Sequence, residues 1–313
     1  MEKFDVHILG CGSAMPTLKH WPSAQVVNIR EKLFLIDCGE GAQVQFRQAR
    51  QKFSRLSHIF ISHLHGDHIF GLIGLLSTLS LAGRTLPMHI YAHAELEELM
   101  RPQLNFFCKG IAFDVIFHPL PTVDKSILIY EDRSVMIYTI PLRHRVPCCG
   151  FLFKERPPLP HIRRDMIDYL DIPYYAINSI KQGADWTMPD GRVVPNEQLV
   201  FPADKGRTYA YCSDTCYRPQ NVPILRGVDV LYHEATFGQD NLARAIETLH
   251  STALQAAQIA KAASVGKLVI GHFSSRYDDE NVLLNEAKSV FQETCLAKEG
   301  LTITLNFCNY LTR

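Results

Sequence analysis

The chain has 313 residues, with 32 Lys plus Arg and 32 Asp plus Glu, so its formal net charge is zero. This balance excludes a basic coat over the whole surface, and nucleic-acid binding would therefore need a local basic patch or a metal ion. Hydrophobic residues make up 47% and charged residues 20%, which is ordinary for a globular protein and excludes disorder as the dominant state. The two unusual counts are 14 His and 9 Cys.

The cysteines and the hydropathy pattern predict where the protein works. The nine cysteines are odd in number and form no Cys-x-x-Cys pair, which argues against a disulfide scaffold or a zinc ribbon and favours reduced thiols. The most apolar stretch, residues 69–82, is shorter than the ~18 residues that a membrane span needs. The first residues also lack the pattern of a signal peptide. We therefore expect a soluble, cytoplasmic protein with no membrane contact.

Short apolar runs that end at turn residues predict strands along the chain. A helix is expected at residues 252–263, with Ser251 as its N-cap. Strands and helices interleave, so the fold class is α/β. The predicted strands lie at residues 6–9, 24–29, 33–36, 58–61, 127–130, 135–140, 208–212, 228–232 and 268–270.

One segment interrupts this alternation. Residues 154–189 are polar, contain prolines and show only weak periodicity. Their charge is mixed, with Lys and Arg side chains standing against a similar number of Asp and Glu side chains. We interpret the segment as an inserted arm that protrudes from a single domain of residues 1–313 and binds substrate.

The densest group of metal-binding residue types follows the predicted strand at 58–61. His63, His65, Asp67 and His68 place four potential ligands within six residues, where a loop can wrap them around one point. Imidazole and carboxylate groups at this density suit Zn²⁺ or Mn²⁺. The alternation of His63 and His65 aims both at one ion, while Asp67 and His68 face a second.

Three further ligand candidates each lie just beyond a predicted strand. They are His144, Asp214 and His272. Any one of them alone would more often be a hydrogen-bonded structural residue. Together with the four residues above they make seven ligands, which is the number that two metal ions need if Asp214 bridges them.

A second kind of chemistry is indicated by Glu234 and His250. Glu234 ends a buried strand, and His250 comes directly before the predicted helix. A carboxylate that orients an imidazole would provide a proton donor near a metal site. The alternative is that His250 is an exposed residue that merely flanks the helix.

These motifs carry a resemblance to a known family. The segment His63-Leu-His65-Gly-Asp67-His68 is typical of the metallo-β-lactamase superfamily. Six further segments resemble, in order and spacing, the short bacterial form of ribonuclease Z, the tRNA 3′-processing endonuclease. The resemblance covers essentially the whole chain, and it implies a four-layer αβ/βα sandwich with metals at the edge where strand ends converge. The six segments are residues 37–43, 141–146, 213–215, 233–236, 250–252 and 272–277.

The resemblance also implies a ligand set and a substrate. Asp214 would bridge two zinc ions, with Mn²⁺ possible in their place, and the substrate would be precursor tRNA, leaving a 3′ hydroxyl on the tRNA. Relatives of the short form are homodimers in which one subunit clamps the tRNA that the other cleaves, and the same is expected here. The other ligands would be His63, His65 and His144 on one ion and Asp67, His68 and His272 on the second.

Catalytic and substrate-binding roles follow from the same resemblance. Asp67 would accept the proton of the attacking water, and His250, oriented by Glu234, would protonate the leaving 3′ oxygen. Ser274 and Arg276 are candidate phosphate contacts, because a guanidinium matches phosphate oxygens. An Arg on a surface can equally serve as an ordinary ion-pair partner.

Two segments depart from the family pattern. His20-Trp21 stands where many relatives carry Arg-Asn, and Tyr174-Tyr175 replaces a Gly-Pro motif in the arm. Trp21 would stack on a base or pack on its own domain. The two tyrosines would contact tRNA or form the arm's own small core.

Two other functions remain open at this point. A metallo-β-lactamase-fold phosphodiesterase acting on cyclic nucleotides or small phosphodiesters would use the same seven ligands, but it has no need of a protruding arm. A catalytically silent nucleic-acid-binding subunit could lose ligands without penalty, whereas all seven are present here.

Overall fold

The computed structural model describes residues 2–306, which form two compact units. The first unit comprises the chain up to Lys154 and, after an interruption, Thr208–Leu305. The second unit comprises the interrupting segment, Glu155–Arg207. Among the described residues, no helix is long and apolar enough to cross a membrane. Eight cysteines of this part of the chain are free thiols, and Cys308, for which the same state is expected, lies outside the described residues.

The strands alternate with helices along the chain, as the α/β pattern predicts. The strands are β1 (Phe4–Gly10), β2 (Ala24–Ile29), β3 (Lys32–Ile36), β4 (Leu56–Phe60), β5 (Met88–Ala92), β6 (Val115–Pro119), β7 (Leu128–Glu131), β8 (Val135–Pro141), β9 (Cys149–Glu155), β10 (His161–Ile162), β11 (Trp186–Thr187), β12 (Val193–Val194), β13 (Val200–Phe201), β14 (Thr208–Cys212), β15 (Val230–Glu234), β16 (Lys267–Gly271), β17 (Thr294–Leu296) and β18 (Thr302–Thr304). The helices are α1 (Ala42–Gln48), α2 (Gly66–Ile69), α3 (Leu72–Leu81), α4 (Glu95–Phe107), α5 (Arg164–Tyr169), α6 (Tyr174–Lys181), α7 (Asn196–Leu199), α8 (Val222–Leu225), α9 (Leu242–Thr248), α10 (Ala253–Ala263) and α11 (Asn281–Lys288).

The first unit contains two seven-stranded sheets. The strand order is β18-β1-β2-β3-β4-β5-β6 in one sheet and β17-β16-β15-β14-β9-β8-β7 in the other. Strands β3 to β6 run parallel to one another, and so do strands β14 to β17. Parallel strands need crossover connections, and these place helices on the sheet faces.

Alternating side chains on the strands divide the core between two faces. In β3, Phe34 and Ile36 belong to the cluster shared by the two sheets, whereas Leu33 and Leu35 pack with the first group of helices. This division follows from the two-residue period of a strand. Helices α1, α3 and α4 cover the first sheet and α10 and α11 the second. The unit is therefore the predicted four-layer αβ/βα sandwich.

The start of α10 differs from the expectation. Its N-cap is Thr252, whose hydroxyl accepts a hydrogen bond from the Gln255 amide, while the Gln255 side chain accepts one from the Thr252 amide. This reciprocal capping box satisfies two amides that the helix leaves unpaired. Ser251, the predicted N-cap, instead donates its hydroxyl to the Thr215 carbonyl oxygen.

The second unit contains the segment interpreted as an arm, and it extends further along the chain than residues 154–189. It runs to Arg207 because β13 pairs with β10 and β12 pairs with β11. A buried ion pair of Glu155 with Arg207 joins its two ends at 2.7 Å. The unit has its own small apolar core, formed by Leu170, Ile172, Ala176, Ile180, Val194 and Leu199.

The two consecutive tyrosines of the arm lie outside this core. Tyr174 and Tyr175, at the start of α6, are 89% and 80% exposed. Tyr169, near the end of α5, is also 80% exposed. The alternative in which the tyrosine pair forms the core of the arm is therefore wrong, because smaller aliphatic side chains fill that core.

Candidate metal centre

All seven predicted ligands belong to the first unit, and they follow the carboxyl ends of strands in both sheets. The loop after β4 carries the histidine-rich motif, and Asp214 and His272 follow β14 and β16. The ends of parallel strands are the usual place for ligand sites in α/β folds. Their ligand atoms approach within 4.8 Å of one another in two groups, which are His63, His65, His144 with Asp214, and Asp67, His68 with His272.

Asp214 lies between the two groups. Its Oδ2 is 3.6 Å from Nε2 of His63 and 3.8 Å from Nε2 of His144. Its Oδ1 is 3.1 Å from Nε2 of His272 and 3.6 Å from Nε2 of His68. One carboxylate oxygen therefore faces each group, which is the arrangement that a bridging ligand requires.

Three ligand atoms have no hydrogen-bond partner among the described residues. They are Nε2 of His68, Nε2 of His272 and Oδ1 of Asp214, and all three are buried; the 3.1 Å contact between the last two is not aligned as a hydrogen bond. Buried polar atoms are nearly always paired, so an unpaired set that converges on one region needs an explanation. Imidazole nitrogens and carboxylate oxygens are good ligands for zinc. The residues present therefore fit a metal centre.

Neighbouring groups fix the orientation of three of the ligand imidazoles. Nδ1 of His68 donates to Oδ2 of Asp37 at 2.7 Å, and Nδ1 of His144 donates to the Leu249 carbonyl oxygen at 3.0 Å. Nδ1 of His272 contacts the Thr236 hydroxyl at 2.9 Å. In each case the other ring nitrogen, Nε2, is left for the centre. Such partners set the tautomer of metal-binding histidines.

The backbone at this centre adopts an unfavourable conformation at three positions. Asp37, Leu249 and His272 have φ angles of 54°, 56° and 61°. The left-handed region is costly for residues that carry a β-carbon. Because Asp37 and Leu249 orient ligands and His272 is a candidate ligand, the strain occurs where the directions of the ligand atoms are set.

The charges of the ligands reflect their surroundings. Burial, with the nearby His68 and His65, lowers the pKa of His63 and favours the neutral imidazole that binds a metal. Burial disfavours the charged form of Asp67, but the neighbouring His68 and His272 hold the pKa of its carboxyl far below the usual range. The Asp67 Oδ2 atom also accepts the Ala14 amide at 2.8 Å.

The predicted pair of Glu234 and His250 is formed beside this centre. Nδ1 of His250 donates to Oε1 of Glu234 at 2.9 Å, and ligand atoms of His250, Asp214 and His272 lie within 4.8 Å of one another. Burial lowers the pKa of His250, but the charge of Glu234 and this hydrogen bond outweigh it and raise the pKa to about 9. Burial opposes the charge of Glu234, yet His250 lowers its pKa to about 2. The imidazole is therefore held in its protonated form.

The remaining predicted residues lie at the protein surface or pack on their own unit. Ser274 is half-buried and accepts the Arg276 amide at 3.4 Å, while Arg276 itself is exposed. Trp21 is 40% exposed, and its ring packs so closely on Gly41 that a β-carbon there would lie 2.2 Å from it. Trp21 therefore packs on its own unit, in line with the second of its two alternatives.

Sequence reasoning assigned no role to two residues that the structure brings to the centre. Asp37 is fully buried and accepts hydrogen bonds from Ser62, His68 and Tyr211. Arg145 is exposed, and it lies close enough that its charge lowers the pKa of His250. Both belong to segments of the family resemblance, at residues 37–43 and 141–146, and a charged residue within these segments was the signal that could have identified them.

Known proteins resemble the chain in sequence and in structure. Residues 4–156 match the family described as Anti-Pycsar protein Apyc1. Ribonuclease Z of Bacteroides thetaiotaomicron is 60% identical over 306 residues, which cover 98% of this chain and 96% of that protein. Human tRNase Z, short form, has a TM-score of 0.71 at 27% identity and covers 97% of this chain and 100% of its own. The metallo-β-lactamase fold protein YhfI of Bacillus subtilis has a TM-score of 0.66 at 21% identity, with 97% of this chain and 100% of that chain covered.

The paired sheets, with the histidine-rich centre at the strand ends, define a metal-dependent hydrolase with the metallo-β-lactamase fold. Among hydrolases with this fold, a ribonuclease Z shares 60% of its residues with this chain over nearly its whole length. The chain belongs to the ribonuclease Z family. The predicted fold class, family and enzyme class are confirmed.

Proposed function

We propose that the protein removes the 3′ trailer from precursor tRNA and leaves a 3′ hydroxyl on the tRNA. The observation that carries this proposal is the pairing of His250 with Glu234 beside the group of Asp214 and His272. A proton donor next to a metal centre is what cleavage of a phosphodiester with an alkoxide leaving group requires. The 60% identity to a ribonuclease Z over nearly the whole chain supports the choice of substrate.

Two zinc ions per chain, with Mn²⁺ as the alternative, are proposed as the cofactors. His63, His65 and His144 would hold one ion, Asp67, His68 and His272 the other, and Asp214 both. When bound, the ions supply Lewis-acid activation of a water molecule and of the phosphodiester. The unpaired buried atoms of His68, His272 and Asp214 support this assignment.

The protein's own groups move the protons. The Asp67 carboxylate accepts the proton of the attacking water. Nδ1 of His250 is bound to Glu234, so Nε2 of the same ring is the atom that gives its proton to the leaving 3′ oxygen. Positioned acids and bases of this kind typically contribute 10²–10⁴-fold to the rate. Ser274 and Arg276 are proposed phosphate contacts.

Binding of the tRNA body is assigned to the arm. Its exposed Tyr169, Tyr174 and Tyr175 present aromatic faces to solvent, and such faces stack on bases or pack on sugars. Near the centre, the exposed Arg143 and Arg145 offer charge to the phosphate backbone. A homodimer, in which one subunit's arm holds the tRNA cleaved by the other, and a cytoplasmic location complete the proposal.

The test compares two substrates of very different size. The purified, zinc-loaded protein is incubated with a 3′-extended precursor tRNA and, separately, with bis-p-nitrophenyl phosphate. We expect a single cut in the precursor and a tRNA product with a 3′ hydroxyl. Hydrolysis of the small diester without cleavage of the precursor would overturn the proposal in favour of a small-phosphodiester hydrolase. The full-length identity to ribonuclease Z does not favour that alternative.

A further inference from the structure

A second group of metal-binding side chains lies apart from the centre described above. Cys11 follows β1, His20 lies in the loop before β2, and Glu299 precedes β18. Their ligand atoms lie within 4.8 Å of one another. The Cys11 and His20 side chains are buried, and the Glu299 side chain is only 17% exposed. The loop between β1 and β2 and the distant segment before β18 therefore bring a sulfur, a nitrogen and an oxygen to one buried point.

The separations of these atoms are within a few tenths of an ångström of those of ligands on a tetrahedral ion. Nδ1 of His20 is 3.4 Å from Sγ of Cys11 and 3.0 Å from Oε2 of Glu299, and Sγ is 3.7 Å from Oε1. Zinc bonds of about 2.3 Å to sulfur and about 2.0–2.2 Å to nitrogen or oxygen place neighbouring ligands roughly 3.3–3.6 Å apart in a tetrahedron. Small shifts would suffice to seat an ion among them.

The other nitrogen of the same imidazole has the partner that metal-binding histidines usually have. Nε2 of His20 lies 3.0 Å from Oε1 of Glu280, a buried carboxylate that also binds the Lys19 ammonium group. A carboxylate on the far side of the ring fixes the tautomer and strengthens the metal bond. Oε1 of Glu299 is held in turn by the Trp21 amide at 2.9 Å.

We propose that Cys11, His20 and Glu299 bind a zinc ion through Sγ, Nδ1 and a carboxylate oxygen, as a structural site separate from the histidine-rich centre. A thiolate among the ligands favours zinc over magnesium or calcium. Three protein groups would leave the fourth position of a tetrahedral ion to a water molecule. The site does not depend on the proposed tRNA substrate.

Charge and protons balance in both states. Without metal, protonated His20 and Lys19 neutralise Glu280 and Glu299. With zinc bound, Cys11 loses its thiol proton and His20 its Nδ1 proton to solvent, and the two positive charges of the ion replace those protons. Each ion that binds therefore releases two protons to solvent.

The site would stabilise the loop between β1 and β2. This loop donates the Ala14 amide to Asp67 at 2.8 Å and pairs Gly12 with Phe273, the neighbour of His272. An ion on Cys11 and His20 would tie both ends of the loop to Glu299. The role is structural, since none of its three ligands belongs to the centre that holds Asp67.

Cobalt substitution tests the proposal, because the histidine-rich centre has no sulfur ligand. Metal-stripped protein is reloaded with Co²⁺, its metal content is measured, and its absorption is recorded in the near ultraviolet, where thiolate-to-cobalt charge transfer occurs. We expect the band in wild type, its loss in Cys11→Ser, and one ion fewer per chain in that variant. Cys148→Ser is the matched control, because the Cys148 thiol lies near the Asp214 carbonyl oxygen at 3.6 Å, and it should keep the band.

Glu280→Gln keeps all three ligands but removes the charge behind His20, and it should weaken this one site by ~10–100-fold. If Cys11→Ser does not fold, His20→Gln takes its place in the comparison. A cobalt-loaded wild type without a thiolate band, and with the same metal content as Cys11→Ser, would show that the group is only an ion-pair network in which His20 joins two carboxylates.

Discussion

The carboxylate of Asp37 accepts the Nδ1 proton of His68 at 2.7 Å, and this bond directs Nε2 of the same ring toward Asp214. Asp37 is fully buried, and Ser62 and Tyr211 also donate to it. A residue that binds no metal itself thus sets the direction of a ligand. Its position immediately after β3 brings it beside the loop that follows β4.

Replacing Asp37 tests this relationship. Asp37→Asn keeps the shape of the side chain but removes the charge that orients and polarises His68, so metal affinity should fall by ~10–100-fold. Competition with a chromogenic chelator measures the affinity. Asp5→Asn, a change of the same kind on β1 away from the centre, should leave it unaltered. Equal chelator competition curves for wild type and Asp37→Asn would contradict the role.

Asp214 should matter to both ions of the centre. One of its carboxylate oxygens faces His63 and His144 and the other faces His68 and His272. Asp214→Ala should therefore lower the metal content by two ions per chain, whereas His68→Ala should lower it by about one. Elemental analysis of dialysed protein gives the counts relative to wild type. A loss of one ion in Asp214→Ala would argue against a bridging carboxylate.

His250 is predicted to act on the chemical step alone. His250→Ala should reduce kcat for precursor tRNA by ~10²–10⁴-fold without changing metal content, because its ring is bound to Glu234 and not to the predicted ligands. Glu234→Gln should change kcat in the same direction, since the imidazole loses its orienting charge. Near-normal turnover of a metal-replete His250→Ala enzyme would show that His250 is not the proton donor and merely flanks helix α10.

The arm should contribute to binding and not to chemistry. Replacing residues 156–206 with a Gly/Ser linker should raise KM for precursor tRNA and spare hydrolysis of bis-p-nitrophenyl phosphate, since uniform binding affects KM but not the chemical step. The milder double change Tyr174→Ala plus Tyr175→Ala should raise KM modestly. Phe106→Ala, which removes a 79% exposed ring from the other unit, is the matched control. Equal KM values in wild type and the linker variant would exclude a clamp.

A histidine far from the metal centre should make stability depend on pH. Burial, with the neighbouring His89, lowers the pKa of His58 to about 4, and its ring packs 4.4 Å from that of Tyr130. The unfolded chain, with a usual pKa of ~6.5, takes up the proton first, so stability should be lost as pH falls from 6.5 toward 4. Urea midpoints should decline less steeply in His58→Gln, while exposed His161→Gln should follow wild type.

The sequence predicts those strands in which polar residues do not interrupt a short run of hydrophobic residues. Strands β2 and β14 occupy the predicted residues, and β15 begins and ends two residues later than expected. Strands β5, β6 and β9 went unpredicted. Histidines interrupt β5 and β6, and a Lys-Glu pair ends β9, so these segments lack a clear period until neighbouring strands bury them. Helix α4 was also missed, because it contains Pro102 and proline is unfavourable inside a helix.

The candidate centre was easier to predict than its surroundings. Four potential ligands within six residues form a local pattern, and such a pattern can be read directly from a sequence. The groups that orient the ligands come from distant segments: Asp37 lies 31 residues from His68, and Leu249 lies 105 residues from His144. The cluster of Cys11 and Glu299 spans 288 residues. Only the folded chain reveals such partners.

The left-handed backbone at Asp37, Leu249 and His272 limits how much mutation the rest of the chain can absorb. Each position costs roughly 1 kcal/mol relative to a relaxed backbone, and a domain's whole stability is only about 5–15 kcal/mol. Destabilising substitutions in the two sheets, though remote from the centre, reduce the same free energy of unfolding. The strained backbone at the metal centre therefore reduces the number of destabilising substitutions that the protein can tolerate. In evolution, stabilising substitutions elsewhere would have to come before most changes in the hydrophobic core.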